Sequence, residues 1–149
     1  MKTVAEILSS KPDTTVHTLE PTASAHDAVR LMADKNIGAL VVVERDKVVG
    51  IVSERDCARK VVLTARSAQD TPLADIMSSP VMAVHRHRTT EECMALMTDG
   101  RLRHLPVVEG DRLVGLISIG DLVKAIISEQ QFIIEQLEHY ISGHRDPGR

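Results

Sequence analysis

Apolar and polar positions follow one another along this chain in two matching cycles, and each cycle ends the same way. In the first, Val48-Val49-Gly50-Ile51-Val52 closes on Ser53, with Asp56 three residues later. In the second, Leu113-Val114-Gly115-Leu116-Ile117 closes on Ser118, with Asp121 three residues later. A short apolar run that ends in Ser, with an acid one turn on, predicts a buried strand feeding straight into a helix. A chain that builds one polar corner twice is organised around two related sites.

The rest of the pattern fills in around those corners. Val4, Ile7 and Leu8 share one face of a short helix over 4–10, which Pro12 and Asp13 break. Val16 to Leu19 alternates as a short strand. Ser24 and Asp27 have capping spacing, and Ala25, Ala28, Val29, Leu31 and Met32 then form a helical stripe to about Lys35. Leu40-Val41-Val42-Val43 predicts a strand buried on both faces. A polar turn, Glu44-Arg45-Asp46-Lys47, returns the chain as the second strand of a hairpin. A helix runs from Glu54 past Val62, and a polar linker follows over 64–72.

The cycle then restarts. Leu73 to Ser79 repeats Val4 to Ser10, helix included, at an offset of 69, and everything after it repeats at 65, because the first cycle carries four extra residues near Lys11 to Thr14. Residues 16–61 align with 81–126 without a gap, and 13 of the 46 columns are identical. Chance would give roughly three. Thr89 with Glu92 repeats the helix cap, and Gly110-Asp111 repeats the hairpin turn. Past Asp121 the last helix continues through Ile127. Phe132, Ile133, Ile134, Leu137, Tyr140 and Ile141 extend it as an apolar stripe with no counterpart in the first copy. Gly143 is expected to end that helix, with His144 to Arg149 disordered. The expected fold is α+β: two tandem β-α-β-β-α repeats packed with pseudo-two-fold symmetry, over 1–70 and 71–130, followed by a C-terminal helix and tail over 131–149.

Composition narrows the function classes. Apolar residues make up 43% of the 149 and aromatics 1%, namely Phe132 and Tyr140, so the core is aliphatic. So few aromatics give no stacking platform for single-stranded nucleic acid. The net charge of −3 creates no field that draws the chain to nucleic acid or membrane. No apolar run reaches the roughly 20 residues that span a bilayer, and Glu6 interrupts any signal-peptide core, so the expected location is the cytoplasm. Cys57 and Cys93 have neither metal nor disulfide spacing.

The doubled strand-Ser-x-x-Asp corner, together with Leu105-Pro106-Val107-Val108, resembles the cystathionine-β-synthase (CBS) domain family. Two tandem copies look like a CBS pair, or Bateman module, over about residues 1–130. Val52-Ser53-Glu54-Arg55-Asp56 is similar to stand-alone CBS-pair proteins of bacteria and plant mitochondria, with no catalytic, channel or transporter domain attached. The resemblance implies that an adenine nucleotide (AMP, ATP or NAD) binds in the cleft between the copies, and that the chain forms a homodimer. It implies a sensor acting on a regulated protein that the sequence does not identify.

The residues suit that ligand. Two adjacent ribose hydroxyls can both donate to one carboxylate, and Asp56 and Asp121 stand at helix starts where negative charge is favoured. Ser53 and Ser118 can bond ribose or phosphate. Either Ser also reads as a plain helix cap, and the repetition with the resemblance favours binding. The resemblance sets Arg103 and His104 against a nucleotide held by Asp56. It lines the base pocket with Thr15-Val16 in the first copy and Pro80-Val81 in the second, with Pro106 on the neighbouring strand. Ala39 occupies the place equivalent to His104. Its neighbours Ile37-Gly38 carry no charge, so the Asp121 site is expected to hold phosphate less well. Arg55, and less strongly Arg59, can add a cation near the first corner.

Other features carry weaker readings. Cys57 lies between Arg55 and Arg59, which could lower its thiol pKa. That motivates an alternative, a redox or protein-interaction regulator with no obligatory nucleotide, although alignment with Leu122 favours a buried Cys57. His85 and His87 fall on one side of a strand, but two ligands are too few for a metal site, and none is expected. The runs His85-Arg86-His87-Arg88 and Arg101-Leu102-Arg103 raise nucleic-acid binding as the least favoured reading. No nucleophile–base constellation is present, so no enzyme is expected. The apolar stripe over 132–141 either packs on its own module or meets a second copy, and the second is preferred.

Overall fold

The computed structural model describes residues 2–145. Its elements in chain order are α1 (Val4–Ser10), β1 (Thr18–Leu19), α2 (Ala25–Lys35), β2 (Ala39–Glu44), β3 (Lys47–Ser53), α3 (Glu54–Cys57), α4 (Thr90–Gly100), β4 (His104–Glu109), β5 (Arg112–Ser118) and α5 (Ile119–Arg145). A wide π-turn, Ala58–Val62, continues α3. The five strands form one sheet in the order β1-β2-β3-β5-β4.

Each copy contributes one antiparallel hairpin, and the two hairpins are built alike. In the first, the register runs from Ala39↔Ser53 to Glu44↔Lys47; in the second, from His104↔Ser118 to Glu109↔Arg112. Both shift register at the same place, between Val42 and Val43 and between Val107 and Val108. The tight turns need positive φ, supplied by Arg45 (φ 51°) and Asp46 (φ 64°) in one and by Gly110 (φ 62°) in the other. The hairpins meet through the single pair Lys47↔Arg112. Helices α2 and α4 begin with the reciprocal Ser24–Asp27 and Thr89–Glu92 caps that the sequence predicts.

The copies differ where each begins. In the first copy β1 pairs parallel with β2 at Thr18↔Val41. The strand expected from Val81 shrinks in the second copy to one parallel bridge, Val84↔Val107. The helix expected over 73–79 is likewise only a 3₁₀ turn, Leu73–Asp75. Ser78 exchanges backbone hydrogen bonds with Ile51 (2.9 and 3.2 Å), which pins the end of this segment to β3. At the other end of the chain α5 does not stop at Gly143 but runs to Arg145. Of the tail expected to be disordered, residues 146–149 lie outside the described residues.

The core is split in two, and the split crosses the repeats. Val4 and Ile7 of α1 pack with Cys93, Met97, Leu105, Ile117 and Leu122 of the second copy. Leu73 and Ile76 pack with Ala28, Met32, Leu40, Val52 and Cys57 of the first. Each segment preceding a repeat thus buries itself in the other half. The two corner-strand glycines make room for this crossing. A Cβ on Gly115 would lie 2.8 Å from Leu8 Cδ2, and one on Gly50 would lie 2.8 Å from Met77 Cγ. Leu8 and Met77 are themselves equivalent positions in the repeat, so one close approach of backbone to side chain is made twice.

Candidate functional site

Both corners are fixed by the same local bonds. Ser53 ends β3 opposite Ala39, and Ser118 ends β5 opposite His104. The first helical N–H after each Ser donates across the hairpin: Glu54 N to Gly38 O (3.1 Å) and Ile119 N to Arg103 O (2.8 Å). Each Ser then forms a reciprocal cap. Asp56 N donates to Ser53 Oγ (3.1 Å) while Ser53 N donates to Asp56 Oδ2 (3.0 Å). Asp121 N donates to Ser118 Oγ (3.1 Å) while Ser118 N donates to Asp121 Oδ2 (2.9 Å). The capping role considered for these residues is therefore realised in the fold. It also leaves both carboxylates facing clefts.

Two clefts open on either side of a shared wall formed by Gly38, Ala39 and His104. One, of about 610 Å³, brings Ser118 and Asp121 of the second copy together with Thr15, Val16, Ile37, Gly38 and Ala39 of the first. The other, of about 760 Å³, brings Ser53, Arg55, Asp56 and Arg59 of the first copy together with Arg101, Arg103 and His104 of the second. Both volumes suit a small organic ligand. Each carboxylate thus faces the segment just before the other copy's hairpin.

The cations nearest the carboxylates were not foreseen. Lys11 Nζ, from the four-residue insertion, lies 3.0 Å from Asp121 Oδ2 and donates to Leu116 O at 3.0 Å. Lys60 Nζ lies 3.4 Å from Asp56 Oδ1 and donates to Ile76 O at 2.9 Å. Lys11, Lys35 and His17 all line the Asp121 cleft, although Ile37-Gly38-Ala39 carries no charge. The positive groups come from the chain preceding β1 and from the end of α2, not from Ile37-Gly38-Ala39. Burial pushes the Asp121 carboxyl up, but hydrogen bonds from the Ser118 backbone and Lys11, with the Lys11 charge, outweigh it and hold it below the usual range. Burial pushes His104 down; Asp121 opposes this, while Arg103 and Lys11 reinforce it. On the rim, Thr15 N–H donates to Asp13 Oδ1 at 2.9 Å, a bond that lowers the Asp13 carboxyl.

Three of the anticipated residues do not reach either cleft. Pro106 is buried within β4, and its carbonyl accepts from Val84 N–H at 2.9 Å. Pro80 and Val81 follow a chain that lacks the four extra residues, and Ser78 lines the Asp56 cleft instead. Cys57 is buried in the first core, and burial, with Asp56 and then Glu54, raises its thiol pKa. This agrees with the buried Cys57 that alignment with Leu122 favours and runs against the lowered thiol that Arg55 and Arg59 could give. His85 Nδ1 contacts Val108 O at 3.1 Å, and Arg86 and Arg88 pair with Glu109 and Glu92 (3.1 and 2.7 Å). Among the described residues no His, Cys, Asp and Glu cluster could hold a metal ion, and no helix is long and apolar enough to cross a membrane.

These features have counterparts in known proteins. The chain is 38% identical over 125 residues to the mitochondrial CBS domain-containing protein CBSX3 of Arabidopsis thaliana, covering 80% of this chain and 61% of that protein's length. It is 53% identical to a structure of a putative signal-transduction protein with CBS domains from Burkholderia ambifaria, with a TM-score of 0.83 over 87% of this chain and 96% of that one. The CBS domain pair of protein MJ0100, in complex with 5′-methylthioadenosine and S-adenosyl-L-methionine, shares the fold at a TM-score of 0.75 and 24% identity, covering 87% and 98%. The CBS domain model matches residues 4–63 and 73–128, one match for each copy. The doubled corner, the crosswise core and these matches agree: the chain belongs to the CBS domain family, as a tandem pair.

Proposed function

We propose that this CBS pair is an adenine-nucleotide sensor rather than an enzyme, binding AMP, ATP or NAD in the clefts between its copies and acting through a homodimer. The observation that carries the reading is the crosswise construction of the clefts. In each, a helix-start carboxylate that can take two ribose hydroxyls faces cations from elsewhere in the fold. In the Asp121 cleft those are Lys11 and Lys35; in the Asp56 cleft they are Arg101 and Arg103. The fold accommodates adenosine-containing ligands in the MJ0100 pair, a likeness of fold and not of residues.

In this reading the Lys11–Asp121 ion pair opens on binding. The ribose takes over the carboxylate, and Lys11 turns to the phosphates, exchanging one charged partner for another. The segment over 11–17, which carries Lys11 and lines the cleft with Thr15 and Val16, moves with it. A ligand bridging the copies then favours one relative arrangement of them, and a regulated protein that distinguishes the arrangements completes the signal. Regulation requires such differential contact; binding alone shifts nothing.

A thermal-shift panel with AMP, ADP, ATP, NAD and S-adenosylmethionine tests the proposal on the wild type, Asp56→Ala and Asp121→Ala. A nucleotide at 100 times its dissociation constant adds about 2.7 kcal/mol, or about 5–10 °C for a chain of this size. At least one nucleotide is expected to give that shift and to lose it in one Asp variant. No shift with any member of the panel would reduce both corners to helix caps.

A further inference from the structure

Most of the large apolar side chains exposed on this molecule lie on one helix. Val123, Ile127, Ile134, Leu137 and Ile141 of α5 are between 43% and 59% exposed. Patches of that kind mark interaction surfaces. Their spacing of fours and threes is that of a coiled-coil seam, with Gln130 at the one seam position between Ile127 and Ile134. Leu122 and Ala125, which anchor α5 in the second core, are buried. At about 100° per residue they fall on the opposite side of the helix from Val123 and Ile127. The seam therefore stays open both where α5 packs on its module and where it runs on alone, over a helix about 40 Å long.

We infer that this seam is where two chains join, with their α5 helices antiparallel around a two-fold axis level with residues 131–133. In that arrangement Ile127 meets the other chain's Leu137, Val123 meets its Ile141, and each Gln130 lies beside Ile134 of the other chain. The flanks of the seam select the orientation. One flank carries Lys124, Gln131 and Glu138, and the other carries Ile126, Ile133 and Tyr140. In an antiparallel pair like flanks face each other; in a parallel pair unlike flanks do. Antiparallel packing therefore places Lys124 beside Glu138 of the other chain, and the two-fold axis repeats the pair. On the opposite flank Ile133 meets its own counterpart and Ile126 meets Tyr140. A parallel pair would set Lys124 against Ile119 and Glu138 against Ile133, so that neither charge has an opposite charge across the seam. An isologous contact of this kind closes on itself and forms a dimer rather than a filament. It places the two modules at opposite ends of the helix pair. The inference specifies the surface of the homodimer proposed above and does not depend on whether the clefts take nucleotide.

Light scattering on size-exclusion peaks, without nucleotide, tests it. The wild type is expected at twice the 16.4 kDa protomer mass. Lys124→Glu and Glu138→Lys should each weaken the dimer about tenfold, and the double variant should restore it, because two exposed ion pairs are reversed together. Exposed positions on a helix surface keep the module folded, which circular dichroism verifies. Cys57 and Cys93 are both buried, so added thiols report contacts without interference. A mixture of Ile127→Cys and Leu137→Cys chains should form an interchain disulfide, and neither variant should do so alone. A monomeric wild type, a dimer indifferent to both charge reversals, or self-crosslinking of Leu137→Cys would each overturn the antiparallel pair.

Discussion

Beside Asp56 the nearest ammonium is Lys60, one helical turn further along the same segment and 3.4 Å from the carboxylate. Beside Asp121 it is Lys11, at 3.0 Å, from a part of the chain 110 residues away. The two carboxylates stand on equivalent corners with the same caps, so the duplication has kept the corner and varied its cation. Lys60 and Asp56 are local neighbours on one helical segment, and Lys60 reaches beyond it only through its bond to Ile76 O. Lys11 fastens the insertion of the first copy to the second copy, and the contact is more buried, at 26% and 18% side-chain exposure. A ligand that takes Asp121 from Lys11 must therefore rearrange a segment that crosses between copies. One that binds at Asp56 displaces a lysine that stays on the same helical segment and can keep its bond to Ile76 O. Of the two clefts, the one at Asp121 is better built to convert occupancy into a change of shape.

The crossing of the copies can be broken most strongly at the glycines. Gly50→Val and Gly115→Val drive new atoms into Met77 and Leu8 and should each cost about 1–3 kcal/mol in urea unfolding. Met77→Ala should recover part of the first loss and Leu8→Ala part of the second, while the reverse combinations should recover nothing. Rescue in the reverse combination would contradict the crosswise core. Lys11→Met should cost about 1–2 kcal/mol, since it removes a partly buried ion pair and a charged hydrogen bond to Leu116 O. Lys60→Met removes a half-exposed pair and a hydrogen bond to Ile76 O, and should cost about 0.5–1.5 kcal/mol.

Lys11 also bears on the pH dependence of stability through Asp121. The folded-state pKa of Asp121 is depressed, so its contribution to stability is present above the ordinary carboxylate value and is lost as pH falls through the lower folded value. Without Lys11 that contribution shrinks at neutral pH. Lys11→Met should then lose less stability than the wild type between neutral pH and about pH 3. Urea midpoints measured across that range give the slope directly, and equal slopes for the two proteins would remove Lys11 as the stabilising partner.

The elements that follow from local pattern were legible in the sequence. Both hairpins, the caps of α2 and α4 and the two Ser–Asp corners depend on residues within a few positions of one another. Val81 and Leu73 mislead because the alignment transfers a strand and a helix from the first copy. The antiparallel bridge between Ile51 and Ser78, a tertiary contact, decides that stretch instead. Of the cleft lining, the parts that duplication marks were legible: Ser53, Asp56, Ser118 and Asp121. Lys11 escaped because it lies in the insertion that aligns with nothing, and its contact to Asp121 spans most of the chain. Ser78 is hidden for a related reason, since its place in the Asp56 cleft is set by its bonds to Ile51. At Cys57 the alignment with Leu122 is a better guide than the flanking charge. Arg55 and Arg59 are near in sequence, but burial and the acids at Asp56 and Glu54 set its thiol.

The central claim is that Asp121 exchanges Lys11 for a ribose while Lys11 takes the phosphate. Calorimetric titration of AMP and of adenosine into the wild type and Lys11→Met tests it most directly. The account predicts that the wild type prefers AMP, and that the variant keeps adenosine binding and loses about tenfold of that preference, the value of one charged hydrogen bond. An unchanged preference in Lys11→Met, or a wild type that binds neither ligand, would contradict it.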